Sequence, residues 1–261
     1  MIRNSFIMLR RIKEGMEKKL WNQGITSWNK FIFAKKIKGI SQARKLYYQR
    51  FLSKAGNALY NFDSSYFKSI LPSTETWRLY DFFKEDAVFI DIEISGMAKY
   101  DNITVIGLFD GMETKIMIKG VNLDTDVIKE ELSRYKIMLS FNGSSLDLPY
   151  IKKRFPGLLP DIPHIDLRHC CARVGLKGGL KDIEKQLGIK RANKIVERMY
   201  GGDPLKLWKM HKATGDDYYL NLLVSYNEED IINLKPIADY CYKNLKEECK
   251  NEFRTNITAK T

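Results

Sequence analysis

The stretch AVFIDIEISG, residues 87–96, decides the reading of the fold. It is an apolar run of β-branched and aromatic residues closed by a glycine, the pattern of a strand buried in a sheet. Asp91 and Glu93 interrupt it, and the two-residue period of a strand puts both carboxylates on one face. Two acids inside such a run are costly to bury unless a cation meets them. A divalent ion answers that need, and hard oxygen ligands suit magnesium or manganese. From these residues alone a second reading stays open: a pair at the exposed end of a strand, matched by Lys or Arg.

Outward from this strand, ITVIGLFDG (103–111) and TKIMIKG (114–120) read as two more strands, with Asp110-Gly111 as a hairpin turn. KIMLSFNG (136–143) reads as a fourth strand and HIDL (164–167) as a fifth. DTDVIKEELSRY (124–135, Asp124 near its cap), SLDLPYIKKRF (145–155) and GLKDIEKQLG (179–188) read as helices, and the chain from about 204 onward reads as helical to the C-terminus. Three meandering strands followed by strand–helix alternation predict an α/β fold, a mixed five-stranded sheet flanked by helices.

Two further acids stand out. In LSFNGSSLDLPYI (139–151) a strand runs into Asn142-Gly143, and Asp147 follows where a helix opens, at the carboxyl end of that strand. Helix capping by Ser144, Ser145 or Asp147 is the competing reading. In LLVSYNEEDIINL (222–234) Tyr226 and Asp230 are four apart on one helix face, with Leu222, Leu223, Ile231, Ile232 and Leu234 as the expected anchoring stripe. Taken singly, Asp230 also reads as a solvated acid and Tyr226 as a half-buried aromatic.

Charge is segregated along the chain. The 261 residues carry a net charge of +12, and residues 1–80 hold all of it, with 16 Lys+Arg against 4 Asp+Glu. A basic segment beside a neutral one points to an anionic partner, most often nucleic acid, against the alternative of a Lys-rich solvated surface. That segment reads as helical over GMEKKLWNQG (15–24), TSWNKFIFAKKI (26–37, Thr26 as N-cap) and SQARKLYYQRFLSKAGNAL (41–59, opened by Ser41 and striped by Leu46, Phe51 and Leu52). SSYFKSILPSTETWRLY (64–80) is rich in Ser and Thr and contains Pro72, so the domain boundary is expected near 73–85, giving a basic helical region 1–75 and an α/β domain 76–261.

No run approaches the roughly 20 apolar residues that span a bilayer, so a soluble chain without a membrane partner is expected. MIRNSFIMLRRIKEG (1–15) is basic, but no small-residue cleavage site follows an apolar stretch, and a targeting role is not expected. Cys170, Cys171, Cys241 and Cys249 match no zinc spacing and read as reduced thiols of a cytoplasmic protein.

The acidic motifs occur in one order across one α/β region: DIEISG at 91–96, FNGSSLDLPYI at 141–151 and YNEEDIINL at 226–234, with HIDLRH at 164–169 and GLKDIEKQLGI at 179–189. In this the sequence resembles the DEDD exonucleases of the RNase H-like superfamily, and most the YprB-type RNase H-like domains, over about residues 85–245. The resemblance implies a nuclease in which Asp91, Glu93 and Asp230 hold one Mg2+ or Mn2+ ion. Asp91 would bridge to a second ion, Asp147 would position that ion through water, and Tyr226 would orient the attacking water. Ser225 stands where a histidine variant would carry its histidine, so the tyrosine arrangement is implied. Ile94 departs from the threonine common after the D-x-E pair, which leaves the metal ligands intact and puts substrate grip in doubt. His164 and Asp166 are expected to be structural or to face the substrate.

Leu20-Trp21, Gly24-Ile25 and Trp28 also resemble a helix-hairpin-helix-like unit that precedes some YprB-type domains, with its Gly-Ile-Gly turn degraded to Arg11-Ile12-Lys13. Contact with DNA or RNA would then fall to Arg10, Arg11, Lys13, Lys18, Lys19, Lys35, Lys36 and Lys38, with Arg44 and Lys45 beside them and Asn142 at the acidic site. Trp21, Trp28, Phe31 and Tyr47 are expected in the core rather than as stacking platforms. The expected function is metal-dependent 3′–5′ exonucleolytic hydrolysis of DNA or RNA. A nucleic-acid-binding module that no longer cleaves and a structure-selective endonuclease are the alternatives.

Overall fold

In the computed structural model, residues 1–96, 102–199 and 203–254 are described. Five strands, β1 (Ala87–Ile94), β2 (Ile103–Phe109), β3 (Thr114–Ile118), β4 (Ile137–Ser140) and β5 (His164–Asp166), form one mixed sheet in the order β3-β2-β1-β4-β5. β1, β2 and β3 meander antiparallel, while β4 and β5 join β1 in parallel. The β2–β3 hairpin turns where expected: Gly111 has φ 100°, and the Asp110 carboxylate accepts from the backbone N–H groups of Met112 and Glu113, each at 2.8 Å. The fold is therefore the mixed five-stranded RNase H-like sheet with flanking helices, preceded by a basic helical region.

The helices are α1 (Glu14–Trp21), α2 (Trp28–Phe33), α3 (Gln42–Tyr60), the single turns α4 (Ser65–Lys68) and α5 (Tyr80–Phe83), α6 (Thr125–Ser133), α7 (Asp147–Arg154), α8 (Leu167–Arg173), α9 (Leu180–Leu187), α10 (Lys194–Arg198), α11 (Asp203–Thr214) and α12 (Asp217–Arg254). The last seven residues, part of the helical reading of the C-terminus, lie outside the described residues. Among the described residues no helix is long and apolar enough to cross a membrane.

The alternation along β1 sorts its side chains between two cores. Val88, Ile90 and Ile92 pack with Ile106 and Leu108 of β2, Ile128 of α6 and Ile151 of α7. Ala87 and Phe89 fall on the other face, with Ile231 and Leu234 of α12. Asp91 and Glu93 continue that second series, so strand periodicity delivers both acids toward α12. In the stripe expected on α12, Leu223, Ile231 and Leu234 are buried, whereas Ile232 is exposed.

The N-terminal helices form where the sequence places them, with three local differences. Ser27, not Thr26, caps α2, its side chain accepting from Lys30 N at 3.3 Å. On α3 the buried stripe is Tyr48, Leu52, Ala55 and Leu59, a spacing of four, three and four that excludes Leu46, which is exposed. Lys45, counted among the available cations, is instead buried, with its ammonium 3.4 Å from the Ile32 carbonyl.

These helices share their core with the sheet. Ile2, Phe6, Leu20, Trp28, Phe31 and Leu52 belong to one apolar cluster with Phe89, Ile165 and Leu245. The Ser73–Leu79 segment is a buried 3-10 helix whose Arg78 donates to Glu17 of α1 at 3.0 Å and to Glu75 at 2.6 Å. Glu17 has no exposed surface and also accepts from Ser5 Oγ at 2.9 Å and Ile7 N at 3.1 Å. Removing one partner of a buried pair strands the other charge, at a cost of about 3–5 kcal/mol. Glu17→Ala is therefore expected to lower the unfolding free energy by about that amount in a urea titration, and an unchanged midpoint would refute this role for the pair.

Candidate metal centre

β1 pairs with β4 only as far as Phe89, so Asp91 and Glu93 lie beyond the end of β4, at the open carboxyl end of the parallel strands. α12 crosses this opening and brings Asp230 to them. Carboxylate oxygens of Asp91, Glu93 and Asp230 all lie within 4.8 Å of one another, a spacing that fits one metal ion. Asp147 does not join that tight group, but it lines the same cleft of about 340 Å³ with Asp91, Glu93, Asn142, Tyr226 and Asp230. The expected acids and the tyrosine are thus brought together. Asp147 is the first residue of α7 and caps nothing, so the capping alternative does not describe it.

A turn built for close approach holds Asp147 in place. Asn142 takes φ 63°, and Asp166 clamps the turn by accepting from Asn142 N at 2.9 Å and Ser144 N at 3.1 Å, as well as from the Ser144 hydroxyl. His164 lies 2.8 Å through Nε2 from Ser140 Oγ, and burial holds its pKa down at about 4, so it stays neutral. Both residues of the HxD strand therefore support the turn. A Cβ on Gly143 would sit 2.0 Å from Ser140 Oγ and 3.0 Å from Asp147 Oδ2, so only glycine fits there.

The second close approach involves a residue the sequence motifs did not mark. Asn227 is fully buried on α12 and donates through Nδ2 to Asp91 Oδ2 at 2.8 Å. Gly107 of β2, paired with Asp91 in the sheet, makes room for it: a Cβ there would meet Asn227 Oδ1 at 2.0 Å.

Electrostatics set the chemical character of the cleft. Loss of solvent raises the Asp91 carboxyl well above its ordinary range, Asp147, Asp230 and Glu93 raise it further, and the Asn227 hydrogen bond pulls back. Glu93 is raised by burial and then by Asp230 and Asp147. Asp147 rises to about 7, by burial and the neighbouring Asp166 and Asp230. Burial also raises Asp230, to about 6, against the pull of Arg191. Among the described residues no Lys or Arg pairs with Asp91, Glu93 or Asp147. A donor set of carboxylate oxygens in mutual repulsion fits a hard divalent cation.

Arg191 is the other residue the motifs did not reveal. Its guanidinium is buried, donates to Asp230 through Nη2, and grips Glu184 of α9 through Nε at 2.9 Å and Nη2 at 2.8 Å. Asn233 Nδ2 donates to the same Glu184 at 3.0 Å. Arg191 and Lys181 also lie 5.4 and 5.2 Å from the centre of the Tyr226 ring. The Tyr226 hydroxyl is pushed above its ordinary pKa by burial and then by Asp230 and Glu93, so it keeps its proton. On the rim Arg168 is exposed.

The basic candidates are spread more widely. Arg10, Arg11, Lys13, Lys19, Lys35, Lys36 and Lys38 are exposed, while Lys18 is half-buried and paired with Glu14 at 2.8 Å. Trp21, Trp28 and Phe31 are core residues as expected, but Tyr47 is 55% exposed, because the buried side of α3 runs through Tyr48.

A mixed sheet with an acidic, metal-ready cleft at the mouth of its parallel strands defines an RNase H-like nuclease fold. The chain belongs to the RNase_H superfamily, whose family model matches residues 88–242. Similar solved structures include the family B DNA polymerase from the hyperthermophilic archaeon Pyrobaculum calidifontis, at 14% identity and TM-score 0.46, with 59% of this chain and 24% of that chain covered. Escherichia coli RNase D, an exoribonuclease involved in structured RNA processing, aligns at 18% identity and TM-score 0.45 over 70% of this chain and 48% of its own. The apo form of a nuclease aligns at 14% identity and TM-score 0.46 over 72% of this chain and 84% of its own. This chain thus spans about a quarter of the polymerase and about half of RNase D. No curated protein matches in sequence.

Two outcomes follow from the cleft. Gly107→Ala is expected to displace Asn227 from Asp91 and weaken Mn2+ binding by about tenfold in a calorimetric titration, roughly 1.4 kcal/mol; unaltered affinity would count against the Gly107–Asn227–Asp91 contact. The second concerns pH without metal. Asp147 has a folded pKa of about 7 against an ordinary 3.8, so its contribution is fully present below 3.8 and is lost as pH rises through 7. Asp147→Asn should therefore be more stable than the unaltered protein at pH 8 in EDTA, by on the order of 4 kcal/mol. The gain should shrink toward zero near pH 4, and a pH-independent difference in thermal unfolding would contradict the electrostatic account.

Proposed function

We propose that this chain is a metal-dependent 3′–5′ exonuclease of the DEDD type in its tyrosine form, close to the YprB-type domains, hydrolysing phosphodiester bonds in DNA or RNA. The observation that carries this reading is the convergence of Asp91, Glu93 and Asp230 oxygens within 4.8 Å in a cleft that Asp147 also lines. Asp91, Glu93 and Asp230 would hold one Mg2+ or Mn2+ ion, and Asp147 with Asp91 would serve a second. Such ions supply positive charge that activates water and stabilises the attacking and leaving oxygens of a phosphate.

The chain's own groups would do the rest. Tyr226, still protonated, offers its hydroxyl as a donor to orient water. Arg191 fixes Asp230, and Asn227 fixes Asp91, so the acceptor oxygens are set before a substrate arrives. Exposed Arg168 and half-buried Asn142 line the cleft where a phosphate chain would leave it. The basic helical region 1–75 would hold the strand while the α/β domain 76–261 cleaves it. A cytoplasmic site of action, in line with four free cysteines, completes the reading.

The test uses single- and double-stranded DNA and RNA, labelled at either end, with Mg2+. Mononucleotides should be released from the 3′ end. Asp91→Ala should lose at least about 1,000-fold in rate, near 4 kcal/mol, and Tyr226→Phe about 10- to 100-fold. Robust cleavage by Asp91→Ala would refute the site. Internal cuts alone would favour an endonuclease, and binding without any cleavage would favour a non-catalytic module.

A further inference from the structure

Part of the excess positive charge of the first eighty residues gathers beside an aromatic ring. Arg10, Arg11, Arg44, Tyr47 and Tyr48 line a cleft of about 340 Å³ that shares no residue with the carboxylate cleft.

The local fold forces this convergence. Leu9 and Ile12 are buried, and a turn closed by Ile12 N on the Leu9 carbonyl at 2.9 Å leaves the two residues between them outside. Arg11 takes φ 68° to do so, a left-handed conformation that a residue with a Cβ adopts at a cost. The Tyr48 hydroxyl donates to the Arg10 carbonyl and ties this turn to α3. On α3, Arg44 precedes Tyr47 by three residues and Tyr48 by four, so all three share a side of the helix. The Tyr47 ring is 55% exposed and stands 5.8 Å from the Tyr48 ring, which supports it from behind.

Three guanidinium groups thus share one cleft, and all three charges reach the Tyr48 hydroxyl. Among the described residues none of the three has a carboxylate partner. Of the other cations in this region Lys18 is neutralised by Glu14 and Lys45 is buried, while Lys13, Lys19, Lys35, Lys36 and Lys38 are exposed but carry ammonium groups and do not line this cleft. Guanidinium forks match phosphate oxygens in shape, and an exposed tyrosine face matches an unstacked base.

We propose that the cleft of Arg10, Arg11, Arg44 and Tyr47 anchors one or two nucleotides of a single strand away from the carboxylate centre, with the arginines on phosphates and Tyr47 against a base. The choice of a nucleic-acid partner rests on the nuclease reading. The preference for a single strand comes from the ring, since bases stacked within a duplex do not present their faces to it.

The test measures binding of a fluorescently labelled 20-nucleotide single strand to the full-length chain by anisotropy, in EDTA so that nothing is cleaved, across a salt series. Arg10→Ala/Arg11→Ala/Arg44→Ala should weaken binding by at least about tenfold. The log–log salt slope should fall by about 0.7–1.4, at roughly 0.7 for each phosphate that is no longer neutralised. Tyr47→Ala should weaken single-strand binding by about tenfold, Tyr47→Phe should retain it, and neither should alter binding of the matching duplex. All four positions are exposed or rim the surface, and circular dichroism will show an unaltered fold. Unchanged affinity and slope in the triple variant would overturn the anchor. A Tyr47→Ala loss that is absent, or equal for single strand and duplex, would overturn its single-strand character. Cleavage by the unaltered chain in Mg2+ is scored separately. An inert chain whose triple variant still loses affinity sinks the nuclease reading and leaves the anchor, while an active chain whose triple variant binds normally does the reverse.

Discussion

Four carboxylates share one cleft, two of them buried and two half-buried, and most of what surrounds them serves to keep them there. Burial favours the neutral acids, and each neighbour raises the others further. Left alone, such a group would separate or protonate. The chain opposes this with contacts that leave little freedom. Asn227 seats in the space that Gly107 leaves, and Asp147 rides on a turn that admits only glycine at 143. Asp166 accepts from three donors of that turn and from Arg168 N of α8, so its own carboxyl is pulled below the ordinary range although it is buried. The same residue type is thus driven in opposite directions at one end of the sheet, because Asp166 is hydrogen-bonded whereas burial, and then like charge, act on Asp91.

Positive charge from the protein reaches the cluster unevenly. Arg191 serves Asp230 and Glu184 together, and its planar fork suits two carboxylates better than an ammonium would. Among the described residues Asp91, Glu93 and Asp147 have no counter-ion, so one acid is anchored and the others keep their demand for a cation. The anchored acid is also the one carried by the long α12, whose register places Tyr226 one turn earlier against Arg191 and Lys181. Fixing Asp230 therefore fixes the tyrosine.

The parts of this arrangement that were legible in the sequence are those with a local rule. Alternation in VFIDIEI gave the buried strand and put both acids on one face, and Asp110-Gly111 gave the hairpin. Asn142-Gly143 announced a turn before Asp147, and the four-residue spacing of Tyr226 and Asp230 gave a shared helix side. What stayed hidden depends on contacts between distant segments. Nothing near Arg191 in IKRANK marks it as the partner of an acid 39 positions later. Gly107 reads as an ordinary strand glycine until α12 is laid across it. Hydrophobicity alone also mis-set the phase of α3: Leu46 looks like core and Tyr47 like its neighbour, yet the helix turns Tyr48 inward. Lys45 goes with it, its stem in the apolar interior and its ammonium at a backbone carbonyl.

The basic helices and the sheet are tied by more than a shared apolar cluster. Glu17 of α1 binds Arg78, Arg78 binds Glu75, and Glu75 binds Arg173 at 2.9 Å. Arg173 is the last residue of α8, and Asp166, which clamps the turn before Asp147, caps the first turn of that same helix. An unbroken line of ion pairs and one short helix therefore runs from the charged N-terminal region to the turn that supports Asp147. The links at Glu17, Arg78 and Glu75 are buried or half-buried, where exchange for water is costly, while Arg173 closes the line at the surface. The composition of residues 64–80 reads as a linker because Ser, Thr and Pro are common there. Yet Thr76 spends its hydroxyl on the Ser73 and His164 carbonyls, each at 2.8 Å, and Trp77 packs beneath Arg173. Polar residues in that stretch act as fasteners between layers, so a strand held by the basic region would be held in fixed relation to the cleft.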